Sequence, residues 1–125
     1  MPLLDIHVTA TKAGLVMMLS GEADVTTAAQ LQEALDGQIT PATRTLLVEV
    51  SGLRFADSAT IGVLIGAARR LKDQGGRLDL LNPQPALARM MTLLGVDRVV
   101  TLRGAGPESP GPFPPSSPDD RDPVG

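Results

Sequence analysis

Apolar and polar positions change period several times along the chain, and each change marks an element. Leu4, Ile6 and Val8 alternate with Asp5 and His7, so residues 1–10 read as a strand with one wet face. Thr11-Lys-Ala-Gly14 has the form of a hairpin turn ending on glycine. The apolar run Leu15–Leu19 is too short for a helix and suits a buried strand. Ser20-Gly-Glu-Ala-Asp24 then punctuates the chain. Beyond it Ala28, Leu31, Ala34 and Leu35 fall on one helical face. Thr27 with Gln30 three residues on has the form of a capping box, and Asp24 is an alternative cap or a carboxylate near the positive helix end. Gly37 to Ala42, with Pro41, forms a loop.

Leu46–Val50 reads as the most buried strand. A short loop leads from it to Asp57-Ser58, and Ile61, Leu64, Ile65, Ala68 and Leu71 then follow the helical template. Arg69, Arg70, Lys72 and Asp73 take the wet face, and Gly75-Gly76 stops the helix. A buried strand followed by a crossover helix implies parallel pairing. Leu78 and Leu80 alternate with Arg77 and Asp79 in a further strand. After Asn82-Pro-Gln-Pro85 a third helix carries Leu87, Met90, Met91 and Leu94 on its apolar face, with Gly95 at its end. Residues 98–102 read as a last short strand. The order β-β-α-β-α-β-α-β predicts an α/β fold: one small mixed sheet of four to five strands packed with amphipathic helices.

Composition changes this picture at the C-terminus. Seven of the eleven prolines lie beyond Gly104, mixed with Gly, Ser and Asp. Such a segment buries too little apolar surface to offset its ordering entropy, so residues 1–103 read as one domain and 104–125 as a disordered acidic tail. Glu108, Asp119, Asp120 and Asp122 against Arg121 give that tail the whole of the chain's formal charge of -3. The remaining domain is formally neutral, a poor basis for holding nucleic acid through phosphate contacts. The only aromatic residues are Phe55 and Phe113, so base stacking is essentially excluded. There is no cysteine, no apolar run of membrane-spanning length and no signal-peptide pattern, which together read as a soluble cytoplasmic protein.

Little catalytic chemistry is on offer. The single histidine, His7, sits on the wet face of the first strand, so no Ser-His-Asp triad assembles at Ser58. There is no metal-ligand spacing, no Walker loop and no dinucleotide fingerprint, so no cofactor or metal and no enzymatic activity are expected. Glu22 and Asp24 read as a turn with a helix-capping acid. Ser58 has two readings. It can cap the helix, its oxygen accepting a bond from a free backbone N–H, worth about 1 kcal/mol. It can also be exposed at a strand-to-helix joint and accept a phosphate, which free N–H groups and the helix dipole would tolerate.

From Leu15 to Leu102 the chain resembles the STAS family, specifically the bacterial anti-sigma factor antagonists. The residues that carry this are Leu19-Ser-Gly-Glu-Ala-Asp24, Val48-Glu-Val-Ser-Gly-Leu-Arg-Phe-Ala-Asp-Ser58, Ile61-Gly62, Gly75-Gly76-Arg-Leu, Asn82-Pro83 and Leu94-Gly95. Their order and spacing, rather than any one piece, make the match. The resemblance implies partner switching. The unmodified antagonist binds an anti-sigma factor that is a serine kinase and frees a sigma factor; the kinase phosphorylates a serine at the helix start; a serine phosphatase restores the binding form. Ser58 matches the modified serine, Asp57 the acid before it, and Asp24 the acid near the first helix. Ala59, Thr60 and Ile61 complete the implied partner surface. Where the family often has Asp-Ser-Ser/Thr-Gly-Leu-Gly, this chain has Thr60 in place of the first glycine, and Glu49 replaces a frequent aspartate. The alternative implied by the same family is an unphosphorylated accessory module of a membrane transport or signalling complex.

Overall fold

Leu4–Thr11 (β1) and Gly14–Ala23 (β2) form the expected hairpin in a computed structural model, which describes residues 3–104. Its two-residue turn is closed by the Thr11 hydroxyl, which donates to the Gly14 carbonyl at 2.8 Å and accepts the Ala13 N–H at 3.1 Å. Gly14 has φ +129°, in the region that favours glycine. The chain continues through α1 (Ala28–Gln38), β3 (Thr45–Ala56), α2 (Ser58–Asp73), β4 (Arg77–Leu81), α3 (Pro85–Leu93), a single 3-10 turn at Val96–Arg98 and β5 (Thr101–Arg103). Met1, Pro2 and most of the Pro-rich acidic segment, residues 105–125, lie outside the described residues.

The five strands form one sheet in the order β1-β2-β3-β4-β5, with β1 antiparallel to β2 and every later pair parallel. From β2 onward each crossover steps the same way across the sheet. Right-handed connections therefore place all three helices on one side. Met17, Leu19, Val48, Val50, Leu78 and Leu80 point to that side and share one core with Leu31 and Leu35 of α1, Leu64 and Leu71 of α2, and Leu87 and Met91 of α3. Among the described residues the opposite sheet face carries no helix. That corrects the reading of Leu15–Leu19 as uniformly buried: Met17 and Leu19 are buried, whereas Met18 between them is 49% exposed.

Two strands outrun their sequence signals. β2 continues through Ser20–Ala23 and β3 through Ser51–Ala56, segments whose Ser-Gly steps read as punctuation and loop. The extensions pair with each other, Ser20 with Gly52, Gly21 with Leu53, Glu22 with Phe55 and Ala23 with Ala56, with register shifts among them. Gly52 is required by this approach, since a Cβ there would sit 2.9 Å from the Ser20 Cβ.

The polar alternation of β4 also hides a buried charge. Asp79, read as wet, is fully buried on the helix-free face. Its Oδ2 accepts from Arg77 Nη2 at 3.1 Å and from Arg103 Nη1 at 3.0 Å, both guanidiniums remaining open to water. Its Oδ1 has no partner among the described residues. The clamp ties the short edge strand β5 into the sheet.

Candidate functional site at the start of α2

The site is built by parallel pairing. β2 and β3 end in register at Ala23 and Ala56, so the residues that follow them, Asp24 and Asp57, emerge side by side at one end of the sheet. The Asp57 N–H donates to the Ala23 carbonyl at 3.2 Å and locks the two exits together.

Asp57, not Ser58, is the N-cap of α2. Its backbone is extended, at φ -95° and ψ -177°, and its Oδ1 accepts the Thr60 N–H at 3.0 Å and the Thr60 hydroxyl at 3.1 Å. These bonds stabilise the ionised form. The Thr60 backbone N–H is the main cause that holds the Asp57 carboxyl below its ordinary value; partial desolvation opposes it, and the Thr60 hydroxyl and the Val25 and Ala59 N–H groups add to it. With the cap supplied by Asp57, Ser58 becomes the first helical residue. Its side chain is exposed, and no hydrogen bond among the described residues uses its hydroxyl. The capping reading of Ser58 is thereby corrected. Two side chains in succession were competent to cap, and the extended backbone at Asp57 assigned the task to the longer one.

Asp24 is occupied locally. Its Oδ1 accepts the N–H and hydroxyl of Thr26, while its own N–H donates to the Thr27 hydroxyl at 3.0 Å. Neither form of side-chain cap expected for α1 is realised. Thr27 stands at the N-cap position without a capping bond, its hydroxyl donating back to the Asp24 carbonyl at 3.1 Å. Gln30 reaches away from the helix start to the Leu4 carbonyl at 3.1 Å.

Of the six residues expected to form a partner surface, Asp24, Asp57 and Ser58 are brought together and Ala59 is half-buried. Thr60 and Ile61 are not at the surface. Thr60 is fully buried with its hydroxyl on Asp57, and Ile61 faces the core. The helical period puts both on the inward side of α2, with Leu64, Ala67, Ala68 and Leu71. Two residues that sequence reasoning passed over stand on the rim instead. Val25, next to Asp24, is 71% exposed and Phe55, two residues before Asp57, is 52% exposed. Phe55 carried a signal, as one of two aromatic residues in the chain placed beside the key joint. Gly62, one helical turn beyond Ser58, is exposed and leaves the ground next to the serine bare.

Among the described residues no cluster of His, Asp or Glu is placed to hold a metal ion, and no helix is long and apolar enough to cross a membrane.

Comparison with known proteins matches residues 6–103 to the family described as Mlab, STAS domain. An anti-sigma F factor antagonist of Lysinibacillus sphaericus is 31% identical over 87 residues, spanning 69% of this chain and 74% of the relative. The unphosphorylated form of the anti-sigma factor antagonist SpoIIAA superposes with a TM-score of 0.68 at 25% identity, over 78% of this chain and 87% of that one. The phosphorylated form of SpoIIAA, described as a Bacillus cell fate determinant, superposes with a TM-score of 0.63 at 26% identity, over 78% of this chain and 90% of that one.

Proposed function

Because the chain belongs to the STAS domain family, we propose that it is an anti-sigma factor antagonist switched by charge at Ser58. In its unmodified form it docks an anti-sigma factor serine kinase on the rim made by Asp24, Val25, Phe55, Asp57 and Ser58, and so frees a sigma factor. The kinase transfers a phosphoryl group to the Ser58 oxygen; a serine phosphatase removes it. The antagonist supplies no catalytic group of its own.

The observation that carries this reading is the freedom of the Ser58 hydroxyl. A serine at a helix start is ordinarily spent on the cap. Here Asp57 performs that task and Ser58 is exposed, its oxygen without a partner among the described residues. The exposed apolar side chains of Val25, next to Asp24, and Phe55, two residues before Asp57, support docking, since burying them against a partner removes apolar surface from water. The relatives' names support the regulatory class, and the solved phosphorylated and unphosphorylated forms of SpoIIAA support modification as the switch.

The electrostatics give the switch its direction. Asp57 is held ionised well into acid, so a phosphate on Ser58 adds about -1.5 to -2 charges beside an existing negative charge. A partner seated on the rim would face both after losing its water. Each 1.4 kcal/mol of that repulsion weakens binding about tenfold.

Titration calorimetry against the cognate kinase, with phosphate transfer followed in parallel, tests the proposal. Ser58→Ala keeps binding and accepts no phosphate; Ser58→Asp binds at least tenfold more weakly. Equal affinity of Ser58→Asp and wild type refutes the switch.

A further inference from the structure

Among the described residues the long free edge of the sheet is β1, and its chemistry is that of an unpaired strand. Edge strands in monomeric proteins are ordinarily blunted by lysine, proline, bulges or covering loops. β1 runs eight residues in unbroken register with β2, and Asp5 is its one formal charge. β5, the opposite edge, is three residues long.

Register fixes which backbone groups of β1 are free. Thr11 and Gly14 flank a two-residue turn and are therefore a hydrogen-bonded pair, and the Glu22 N–H donates to the Leu3 carbonyl at 2.9 Å. Odd-numbered residues of β1 thus bond inward to β2. The N–H and C=O groups of Ile6, Val8 and Ala10 point outward, as does the Leu4 N–H; the Leu4 carbonyl is taken by Gln30. The side chains tell the same story. Val8 belongs to the helix-covered face yet is 39% exposed, and Ile6 beside it is incompletely buried, because no strand among the described residues lies beyond them.

We propose that β1 pairs antiparallel with β1 of a second copy, about a two-fold axis through His7. This register matches outward groups with outward groups: Ile6 of each copy exchanges both bonds with Val8 of the other. On the helix side it sets Ile6 against Val8 and joins the two cores in one row, Leu19–Ile6–Val8–Met17. On the bare side it sets Asp5 opposite Thr9, so no like charges meet, and places the two His7 residues directly across the axis. Edge pairing buries less than a standard interface, so the dimer is reversible and concentration-dependent.

Sedimentation velocity on the full chain, from about 10 µM to about 1 mM, tests association in the range expected for weak complexes. Dimer formation is expected, and it is lost in Val8→Lys, which puts a charge on the seam. Ala10→Pro weakens it while leaving the inward ladder to β2 intact. The register has its own assay, because the chain contains no cysteine. A non-hydrogen-bonded antiparallel pair brings Cα atoms to about 4.5 Å, within disulfide reach. His7→Cys is expected to form a covalent dimer on mild oxidation at high yield, and Asp5→Cys, displaced from its copy by four residues, is not. A monomer throughout the range overturns the proposal, as does a dimer that survives Val8→Lys or cross-links equally well through residue 5. Circular dichroism of each variant confirms that the fold is retained.

Discussion

Gly62 and Gly66 lie inside α2 on its wet side, where glycine has no local reason to be. A Cβ built at either position meets nothing within 4 Å. Both lie in regular helix, with none of the positive φ angles found at Gly75 or Gly95. Replacing glycine by alanine in an exposed helix interior gains about 0.8–1.0 kcal/mol, mostly by narrowing the unfolded ensemble. Gly62→Ala and Gly66→Ala are each therefore expected to stabilise the domain by about 1 kcal/mol, and the pair by about 2 kcal/mol, since neither methyl displaces anything. For a domain of this size each step raises the melting temperature by about 4–8 °C. Urea unfolding should show a higher midpoint at unchanged slope. A neutral or destabilising result at either site would mean that some group of the protein covers that face of α2, and the described packing would be wrong. The two positions should part company in binding. Gly62 is one turn from Ser58 on the same face. Gly62→Leu is expected to leave the fold intact and weaken the docked partner at least tenfold in calorimetry, whereas Gly66→Leu, a turn further on, has a smaller effect.

Acid should release the contribution of Asp57. Its folded carboxyl lies below the unfolded value of about 3.9, so the stabilisation is fully present above that value and is lost as pH falls through the folded one. Asp57→Asn keeps a capping oxygen but no charge; its stability deficit in urea unfolding at pH 7 is expected to shrink as pH falls below about 3.9, and a constant deficit would refute the linkage. The Asp79 clamp predicts an asymmetry. Removing both guanidiniums, Arg77→Ala with Arg103→Ala, strands a buried carboxylate and should cost about 3–5 kcal/mol. Asp79→Ala leaves two arginines that water already solvates and should cost less than half as much; equal losses in urea unfolding would show that the carboxylate is not dependent on them.

Much of this architecture could be read from residue periodicity. The inward stripe of α2, the hairpin at Thr11–Gly14 and the parallel pairing of β3 follow from spacing that tertiary packing had no reason to override. The misreadings share a physical cause. Ser-Gly steps read as chain punctuation, but at Gly52 the glycine admits a neighbouring strand rather than a turn. Met18 reads as core in a run of five apolar residues, because sequence alone does not reveal that the helices cover only one side of the sheet. Asp79 reads as wet because the alternation of β4 does not reveal its two cationic partners, one of them Arg103 on the neighbouring strand β5, 24 residues away in sequence. The site was legible where it depends on strand order, which brings Asp24 and Asp57 to one rim. It was illegible in the choice between Asp57 and Ser58 as cap, and at Thr60, a polar residue with no apolar signal for the inward side it takes; Ile61 already belonged to the apolar stripe of α2.

The burial of Thr60 has a consequence for how modification of this rim is to be interpreted. Two hydroxyl-bearing residues stand two apart at the mouth of α2, yet the folded protein offers a transferase only one of them, because the other points into the core with its proton committed to Asp57. Under the proposed switch the rim therefore stores a single bit. A tryptic peptide carrying phosphothreonine at position 60 would report molecules modified while the start of α2 was open.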